Sequence, residues 1–179
     1  MDLMEVIRKR SSVRKYGERL VRREDIDECL EAARLAPSAC NSQPWEFIVV
    51  DAEPVRGRLC DAMLGGIYGM NSFIRQAPVL VAVVTDCGSW FPKVCNTLRD
   101  TKMYLVDLGI ACEHFALRAA ELGIGTCYLG WFNEKAAKKA LGIGRGKRIQ
   151  IALAVGYPSP DWEVREKTRK SLAEMSEYR

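Results

Sequence analysis

Residues 36–50 have the sequence APSACNSQPWEFIVV, in which a polar, turn-forming half is followed by an apolar half. The first ten residues are rich in Pro, Ser and Asn, which predicts a loop. Pro37 and Pro44 restrict the backbone of this loop, and the amide side chains of Asn41 and Gln43 lie between them. The last five residues are mostly apolar and β-branched, which predicts a short strand. We therefore expect a stiffened polar loop that leads directly into the core of the protein.

Helices and strands are predicted on both sides of this stretch without a strict βαβ alternation. The sequence predicts helices at 2–11, 22–35, 54–64, 97–122 and 133–141, and further strands at 79–85, 125–130 and 148–158. The strand at 79–85 is a continuous β-branched run and is expected to be buried on both faces. The 97–122 helix is the longest, and it is expected to form the central core with Leu105 and Leu108 on its buried stripe. This pattern favours an α+β domain with layered packing.

Composition limits the class of protein. The 179 residues fit one domain spanning 1–179, and 48% apolar with 28% charged residues is ordinary for a globular protein. The seven cysteines include no C-x-x-C pair, which argues against a disulfide scaffold or a zinc finger. The single histidine, His114, lies in a largely apolar helix and is expected to be structural, so no metal site is expected. No run is long enough to span a bilayer and no apolar leader is visible, so a cytoplasmic location without membrane contact is expected.

The segment at 7–23, IRKRSSVRKYGERLVRR, holds eight of the 27 Lys and Arg residues. A run of this charge is typical of nucleic-acid binding. However, the net charge of the chain is only +4, and residues 161–179 carry five basic and five acidic side chains. Duplex-binding proteins usually present a broader basic face, so a nucleic-acid partner is a remote alternative.

Two glycine-rich stretches do not match nucleotide-binding motifs. In LGIGRGKR at 141–148, Arg148 stands where a P-loop has Ser or Thr, and Leu141 stands where it has its first glycine. The patterns that begin at Gly123 and Gly142 lack the third glycine of a Rossmann fingerprint. Helix ends and tight turns explain most of these glycines. Because no hydrolytic constellation is present either, an enzyme of this sequence would depend on a cofactor.

Three separated stretches carry the remaining polar chemistry: RSSVR at 10–14, PSACNSQPW at 37–45 and KTRK at 167–170. Arginine and serine side chains close together suit a small phosphate, because they supply charge-assisted and hydroxyl hydrogen bonds. Asn41 and Gln43 offer paired donors and acceptors for an amide-like ring edge. Each pattern taken alone is also common on an ordinary solvated surface.

Together and in this order, the stretches resemble the nitroreductase family of FMN-dependent oxidoreductases. The resemblance includes R-x-S-x-R at 10–14, A-P-S-x-x-N-x-Q-P-W at 36–45, L-G-x-G-T-C-x-x-G at 122–130, G-Y-P at 156–158 and K-x-R at 167–169. It covers nearly the whole chain and is weakest at about 65–96. It implies an α+β, three-layer nitroreductase-like fold with a mixed central β-sheet flanked by helices. It also implies a homodimer in which the C-terminal tail, 159–179, wraps the other subunit.

The resemblance also implies FMN as the cofactor and assigns its contacts. Phosphate and ribityl contacts are expected from Arg10, Ser11, Ser12, Lys167 and Arg169. Arg14 would face the N1/O2 side of the flavin ring, where a fixed cation raises the reduction potential. The ring would lie against a wall built by Pro37, Ser38, Asn41, Gln43, Leu129 and Gly130. Asn41 and Gln43 would contact its pyrimidine edge, and the backbone N–H of Gly130 would point at N5.

The implied reaction is ping-pong: NAD(P)H delivers hydride to flavin N5, and a nitroaromatic- or quinone-like acceptor is then reduced on the same face. No side chain is expected to act as a catalytic residue, because the flavin carries the chemistry. The alternative is an FMN carrier or sensor without turnover, since binding and catalytic residues coincide in such a site. Trp131 follows Gly130 where the family often has a small residue, so it is expected either to narrow the site or to alter the loop geometry near N5. Substrate choice is expected to depend on the 86–96 loop, which contains Cys87 and Cys95.

Overall fold

A computed structural model describes residues 2–86, 102–164 and 166–179. The helices are α1 (Leu3–Lys9), α2 (Arg23–Arg34), α3 (Val55–Leu64), α4 (Met103–Glu121), α5 (Glu134–Ala140) and α6 (Leu172–Met175). The strands are β1 (Glu46–Val50), β2 (Val79–Asp86), β3 (Gly125–Leu129) and β4 (Lys147–Gly156), and two 3-10 segments span Ala39–Asn41 and Gly66–Gln76. None of the helices in the described ranges has the length and hydropathy needed to cross a bilayer.

The predicted helices and strands are confirmed within a few residues at their ends. Residues 97–101 of the expected long helix and most of the 86–96 loop, with Cys87 and Cys95, lie outside the described residues. The 3-10 segment Gly66–Gln76 and the short helix α6 were not predicted.

Local sequence signals account for several helix ends. At α1 the Asp2 carboxylate accepts the backbone N–H of Glu5 at 3.0 Å, and the Glu5 carboxylate accepts that of Asp2 at 3.1 Å, which is a capping box. The side chain of Asn133 caps α5 by accepting the N–H of Ala136 at 3.1 Å. The chain leaves α4 through Gly123, whose φ of +78° lies in the left-handed region that glycine adopts without strain.

The sheet has the order β1-β2-β4-β3, and every neighbouring pair of strands is antiparallel. A mixed sheet was expected; in the described part of the chain, parallel pairing is limited to the isolated bridge between Ser12 and Thr126. The parallel contact is short because the chain leaves β3 soon after Val13. It pairs instead with the turn after β4, where the N–H of Gly17 donates to the Tyr157 carbonyl at 2.9 Å.

Helices cover both faces of this sheet, so the expected three-layer α+β architecture is confirmed. On one face α2 and α4 pack through Cys29 and Phe115, and on the other α3 and α5 pack through Met63 and Ala137. Strand β2 is buried along its length except for Asp86. Leu108 lies in the core as expected, but the prediction for Leu105 is wrong because its side chain is 42% exposed. The Nδ1 of His114 lies 3.2 Å from the carbonyl oxygen of Ala32, where α2 meets α4. Its structural role stays a prediction.

After β4 the chain runs as a mostly irregular and exposed tail. The N–H of Ser159 donates to the carbonyl of Lys15 at 3.0 Å, and the Lys15 ammonium pairs with the Asp161 carboxylate. These contacts fasten the start of the tail to the N-terminal segment. Farther along, the apolar side chains of Leu172 and Met175 are exposed, although both belong to α6.

Candidate functional site

Three cations from opposite ends of the chain meet near the end of α1; we call Arg10, Lys167 and Arg169 the cationic cluster. Burial and the neighbouring charges of Arg10 and Arg169 lower the pKa of Lys167 below its usual value. The charges of Arg10 and Arg169 each act on Lys167, whose ammonium lies at the end of α1, next to Arg10 in the chain. The structure therefore brings together three residues that the sequence assigned to one phosphate.

Lys167 also fixes the tail to α1. Its ammonium donates to the carbonyl of Ile7 at 2.8 Å and to that of Arg8 at 2.6 Å. Both carbonyls belong to the last turn of the helix, where backbone acceptors lack intrahelical partners and a positive charge is favourable. The C-terminal tail thus supplies a cap for the first helix of the chain.

Arg10 has a carboxylate neighbour on α4. Its Nε lies 3.5 Å from Oε1 of Glu113, and the Arg10 side chain is mostly buried while that of Glu113 is 45% exposed. The hydroxyl of Tyr128 donates to Oε2 of Glu113 at 3.0 Å. Burial, with the nearby Glu113 charge, raises the pKa of Tyr128 and keeps that hydroxyl protonated as a donor. Arg10 is therefore oriented from α4 as well as from its own segment.

The segment around Ser12 lies along the outer edge of β3. The N–H of Val13 donates to the carbonyl of Thr126 at 3.0 Å, and the Val13 side chain is buried against the strand. Arg10 and Ser11 line a shallow cleft, which Gly125 and Trp162 also line. The Arg14 side chain is exposed, and its Nη1 lies 3.4 Å from the carbonyl oxygen of Ser12.

The 36–45 loop is ordered by its own hydrogen bonds. The N–H of Gln43 donates to Oγ of Ser38 at 2.9 Å, and Nε2 of Gln43 donates to Oδ1 of Asn41 at 3.1 Å. Pro37, Asn41 and Gln43 are exposed, so the amide pair faces outward. All non-glycine residues with positive φ in the described ranges belong to this loop: Cys40 at +53°, Asn41 at +52° and Gln43 at +44°. Such strain is typical of functional sites.

The chain becomes exposed at the end of β3, and we call Gly130 and Trp131 the ledge. Leu129 is 2% exposed, whereas Gly130 is exposed, and a Cβ added to Gly130 would meet no atom within 4 Å. The Trp131 ring lies at 5.2 Å from the Tyr68 ring, and the Trp131 carbonyl accepts from Nδ2 of Asn71 at 2.7 Å. The indole is thus held against the Gly66–Gln76 segment. The effect of Trp131 on the space beside Gly130 stays a prediction.

Two acidic residues of α4 that the sequence analysis missed support the two halves of the site. Oδ1 of Asp107 accepts the N–H of Ala39 in the 36–45 loop at 3.1 Å, and Glu113 faces Arg10. The two carboxylates are six residues apart, which is about 9 Å along a helix. In the described residues no recorded contact joins the cationic cluster directly to the loop. The sequence did contain one signal for Asp107: it lies four residues before Ala111, so a charged residue falls on the buried stripe of the helix.

Comparisons with known proteins agree on one family. The model of the nitroreductase family matches residues 7–67 and 68–157. A protein of Archaeoglobus fulgidus, provisionally named an NADH dehydrogenase/NAD(P)H nitroreductase, is 32% identical over 169 residues, covering 92% of this chain and 90% of that protein. Iodotyrosine deiodinase of Thermotoga neapolitana is 23% identical, covering 87% of this chain and 88% of that enzyme. An FMN-dependent nitroreductase structure from Clostridium difficile R20291 superimposes with a TM-score of 0.71 at 26% identity, covering 96% and 93% of the two chains. The chain therefore belongs to the nitroreductase family.

Proposed function

We propose that the chain is an FMN-dependent oxidoreductase that uses NAD(P)H to reduce a small organic acceptor of nitroaromatic or quinone type. The observation that supports this most is the cationic cluster beside Ser11 and Ser12. Burial first, and then the charges of Arg10 and Arg169, lower the pKa of Lys167, so Lys167 is repelled by both arginines. A phosphate monoester would relieve the repulsion and accept charge-assisted hydrogen bonds from all three side chains.

The remaining residues fit the other parts of FMN. Asn41 and Gln43 are exposed amides on a loop with fixed geometry, as recognition of a ring edge by donors and acceptors requires. Gly130 leaves open space where any other residue would place a Cβ, so a flat ring can approach its backbone N–H. Pro37, Ser38 and Leu129 would shape the walls, and Arg14 would bring an exposed positive charge to the far end.

We further propose a homodimer with the FMN sites at its interface. The two halves of the site, the cationic cluster and the 36–45 loop, contact α4 at different residues, Glu113 and Asp107. In the described residues no hydrogen bond or ion pair joins the two halves within one chain. Strand β1 lies at the edge of the sheet, and the tail ends in exposed Leu172, Met175 and Tyr178. Exposed sheet edges and apolar side chains of this kind favour burial against another molecule. Within the 159–179 tail, contacts of Ser159, Asp161 and Lys167 hold the first part on its own chain. Wrapping of the part that follows Arg169 around a second copy would cover these exposed side chains.

In this proposal the protein binds, orients and tunes, and its side chains take no covalent part. When bound, FMN supplies the redox chemistry by accepting a hydride at N5 from NAD(P)H and passing the reducing equivalents to the acceptor in a ping-pong cycle. The cationic cluster anchors the phosphate end. Asn41 and Gln43 fix the rotation of the ring, and Gly130 lets both substrates approach the same face. Arg14 stabilises negative charge on the pyrimidine side electrostatically.

Flavin uptake by purified protein tests the cofactor part of the proposal. We expect an oxidised-flavin spectrum, or stoichiometric uptake of added FMN by the apo-protein. Arg10→Ala should mainly weaken FMN binding, whereas Arg14→Ala should mainly lower the rate and potential of flavin reduction. Arg145→Ala removes an exposed cation from a distant turn and serves as the matched control. A protein that binds no FMN, or equal flavin loss in the Arg10 and Arg14 variants, contradicts these assignments.

Turnover separates the enzyme from an FMN carrier or sensor. Under anaerobic conditions NADH or NADPH should bleach the flavin absorbance, and p-benzoquinone should restore it. If FMN is bound but neither nicotinamide bleaches it, the carrier or sensor function is favoured instead.

A further inference from the structure

Asp107 is a buried carboxylate whose role packing alone does not explain. It lies in the second turn of α4 and is 3% exposed. Burial of an ionised group is costly unless hydrogen bonds compensate, and an apolar residue of similar volume is often the more stable choice at such a position. Its recorded partner is the backbone N–H of Ala39, at 3.1 Å from Oδ1. The contact therefore serves the loop rather than the helix packing.

The loop that begins at Ala39 has a conformation that its own residues disfavour. Cys40, Asn41 and Gln43 all have φ between +44° and +53°, a region that residues with a Cβ adopt only at a cost in energy. The hydrogen bonds from Gln43 to Ser38 and Asn41 tie the loop to itself. The bond from Ala39 to Asp107 fastens the start of this strained turn to the helix layer. Without it, the strained turn would lose its anchor to α4.

We infer that Asp107 is a positioning residue for the cofactor: it holds the 39–43 turn in the geometry that presents Asn41 and Gln43 to the flavin ring. This inference rests on the proposed function, which gives the two amides their ligand. A loop that adopts the binding conformation for only a fraction of the time lowers the apparent affinity by that fraction. Because a hydrogen bond to a charged group is among the stronger ones, its loss should weaken FMN binding about tenfold or more.

Two substitutions at Asp107 separate the hydrogen bond from the volume and the charge. Asp107→Asn keeps an oxygen acceptor at the same place, and it should bind FMN within about threefold of the wild type, well below the tenfold step expected for losing the bond. Asp107→Leu keeps the volume but removes the acceptor, and it should bind FMN about tenfold or more weakly. A role through packing alone predicts the opposite order, since leucine is the better core residue.

Ala39→Pro removes the donor from the other side of the same bond. Ser38 has φ −144° and ψ 154°, the region that a residue before proline prefers. Ala39 begins the 3-10 turn, a position where the missing N–H of proline is tolerated. We expect Ala39→Pro to weaken FMN binding as much as Asp107→Leu does. Because both substitutions remove the same hydrogen bond, the Kd of the double variant for FMN should stay within about twofold of the higher of the two single-variant Kd values.

The experiment titrates apo-protein with FMN by quenching of flavin fluorescence and measures thermal unfolding of the same apo samples. Loss of affinity in the Leu and Pro variants with retention in the Asn variant is the expected result. Affinity like that of the wild type in Ala39→Pro, or equal loss in the Asn and Leu variants, overturns the inference. If Asp107→Leu does not fold, Ala39→Pro alone decides.

Hydrogen exchange keeps this inference distinct from the proposed function. Failure of the wild type to bind FMN would contradict the proposed function. The amides of residues 39–43 would then still report on positioning: they should exchange faster in Asp107→Leu than in the wild type and Asp107→Asn. Equal exchange in all three proteins would show that Asp107 does not hold the turn.

Discussion

Gly125→Ala is expected to destabilise the protein through one identifiable contact. A Cβ at Gly125 would lie 2.5 Å from Cγ2 of Val13 and 2.8 Å from its Cβ, distances that real packing does not allow. Val13 is 2% exposed and its N–H is bonded to Thr126, so the side chain cannot move out of the way cheaply. Overpacking of this kind costs about 1–3 kcal/mol. We expect a net loss of about 2 kcal/mol, which lowers Tm by about 4–8 °C in a chain of this size.

A size exchange tests whether that contact is the cause. Val13→Ala removes the two methyl groups at 2.5 and 3.1 Å from the new Cβ but keeps the Val13 Cβ at 2.8 Å, so it relieves most of the clash. Gly125→Ala/Val13→Ala should therefore be at least about 1 kcal/mol more stable than the sum of the two single effects. Denaturant unfolding of the apo-proteins at one protein concentration measures all three free energies. Gly144→Ala is the matched control, because its added Cβ meets no atom within 4 Å.

Two results would refute this reasoning. One is additivity of the two substitutions within about 0.5 kcal/mol, which would mean that the side chains do not couple. The other is a Gly125→Ala protein as stable as Gly144→Ala.

Three further predictions concern charge, thiol reactivity and the ledge. The Arg22 guanidinium holds the pKa of the buried Asp25 carboxyl below its usual value. The ionised carboxylate therefore stabilises the fold at pH values above the ordinary Asp pKa, and this stabilisation is lost as pH falls through the lowered pKa. The Tm difference between wild type and Asp25→Asn should shrink below about pH 4. A thiol reagent should label the exposed Cys40 before the buried Cys29, because burial raises the pKa of the Cys29 thiol to about 12. Added FMN should slow the labelling of Cys40. Peptide mass spectrometry measures the labelling at both positions. Trp131 packs on Tyr68 but is still 51% exposed, so a planar acceptor can contact its indole. Trp131→Ala should therefore raise KM for planar aromatic acceptors about threefold to tenfold with little change in Tm. Unchanged steady-state kinetics would contradict this.

Strong local signals allowed most of the fold to be predicted from the sequence. The β-branched run at 79–85 forms a buried strand, and Gly123 ends the long helix as its left-handed φ allows. The Gly66–Gln76 segment carries two glycines and no side-chain cap at its start, and contacts such as that of Asn71 with Trp131 hold its 3-10 form. Propensity alone does not specify such a segment.

The sequence suggested the candidate site residues, whose roles stay predictions, but it did not suggest the residues that contact and orient them. Motif spacing selected Arg10, Asn41 and Lys167, because the chemistry of those side chains is visible in the letters. Asp107 acts on the backbone of Ala39, 68 residues away, and Glu113 meets Arg10 only because α4 passes beside α1. Such pairings depend on topology, which local patterns do not contain.

The contact of Lys167 with the end of α1 has a consequence for biosynthesis. The partners in this contact lie 160 residues apart, at Ile7 and Lys167 of a 179-residue chain. Chains fold progressively as they leave the ribosome, so the cationic cluster is completed only when nearly the whole polypeptide has been made. A nascent or C-terminally shortened chain therefore lacks two of the three cations of the cluster. If the cluster holds the FMN phosphate, as proposed above, the cofactor would be acquired by the finished protein rather than during translation.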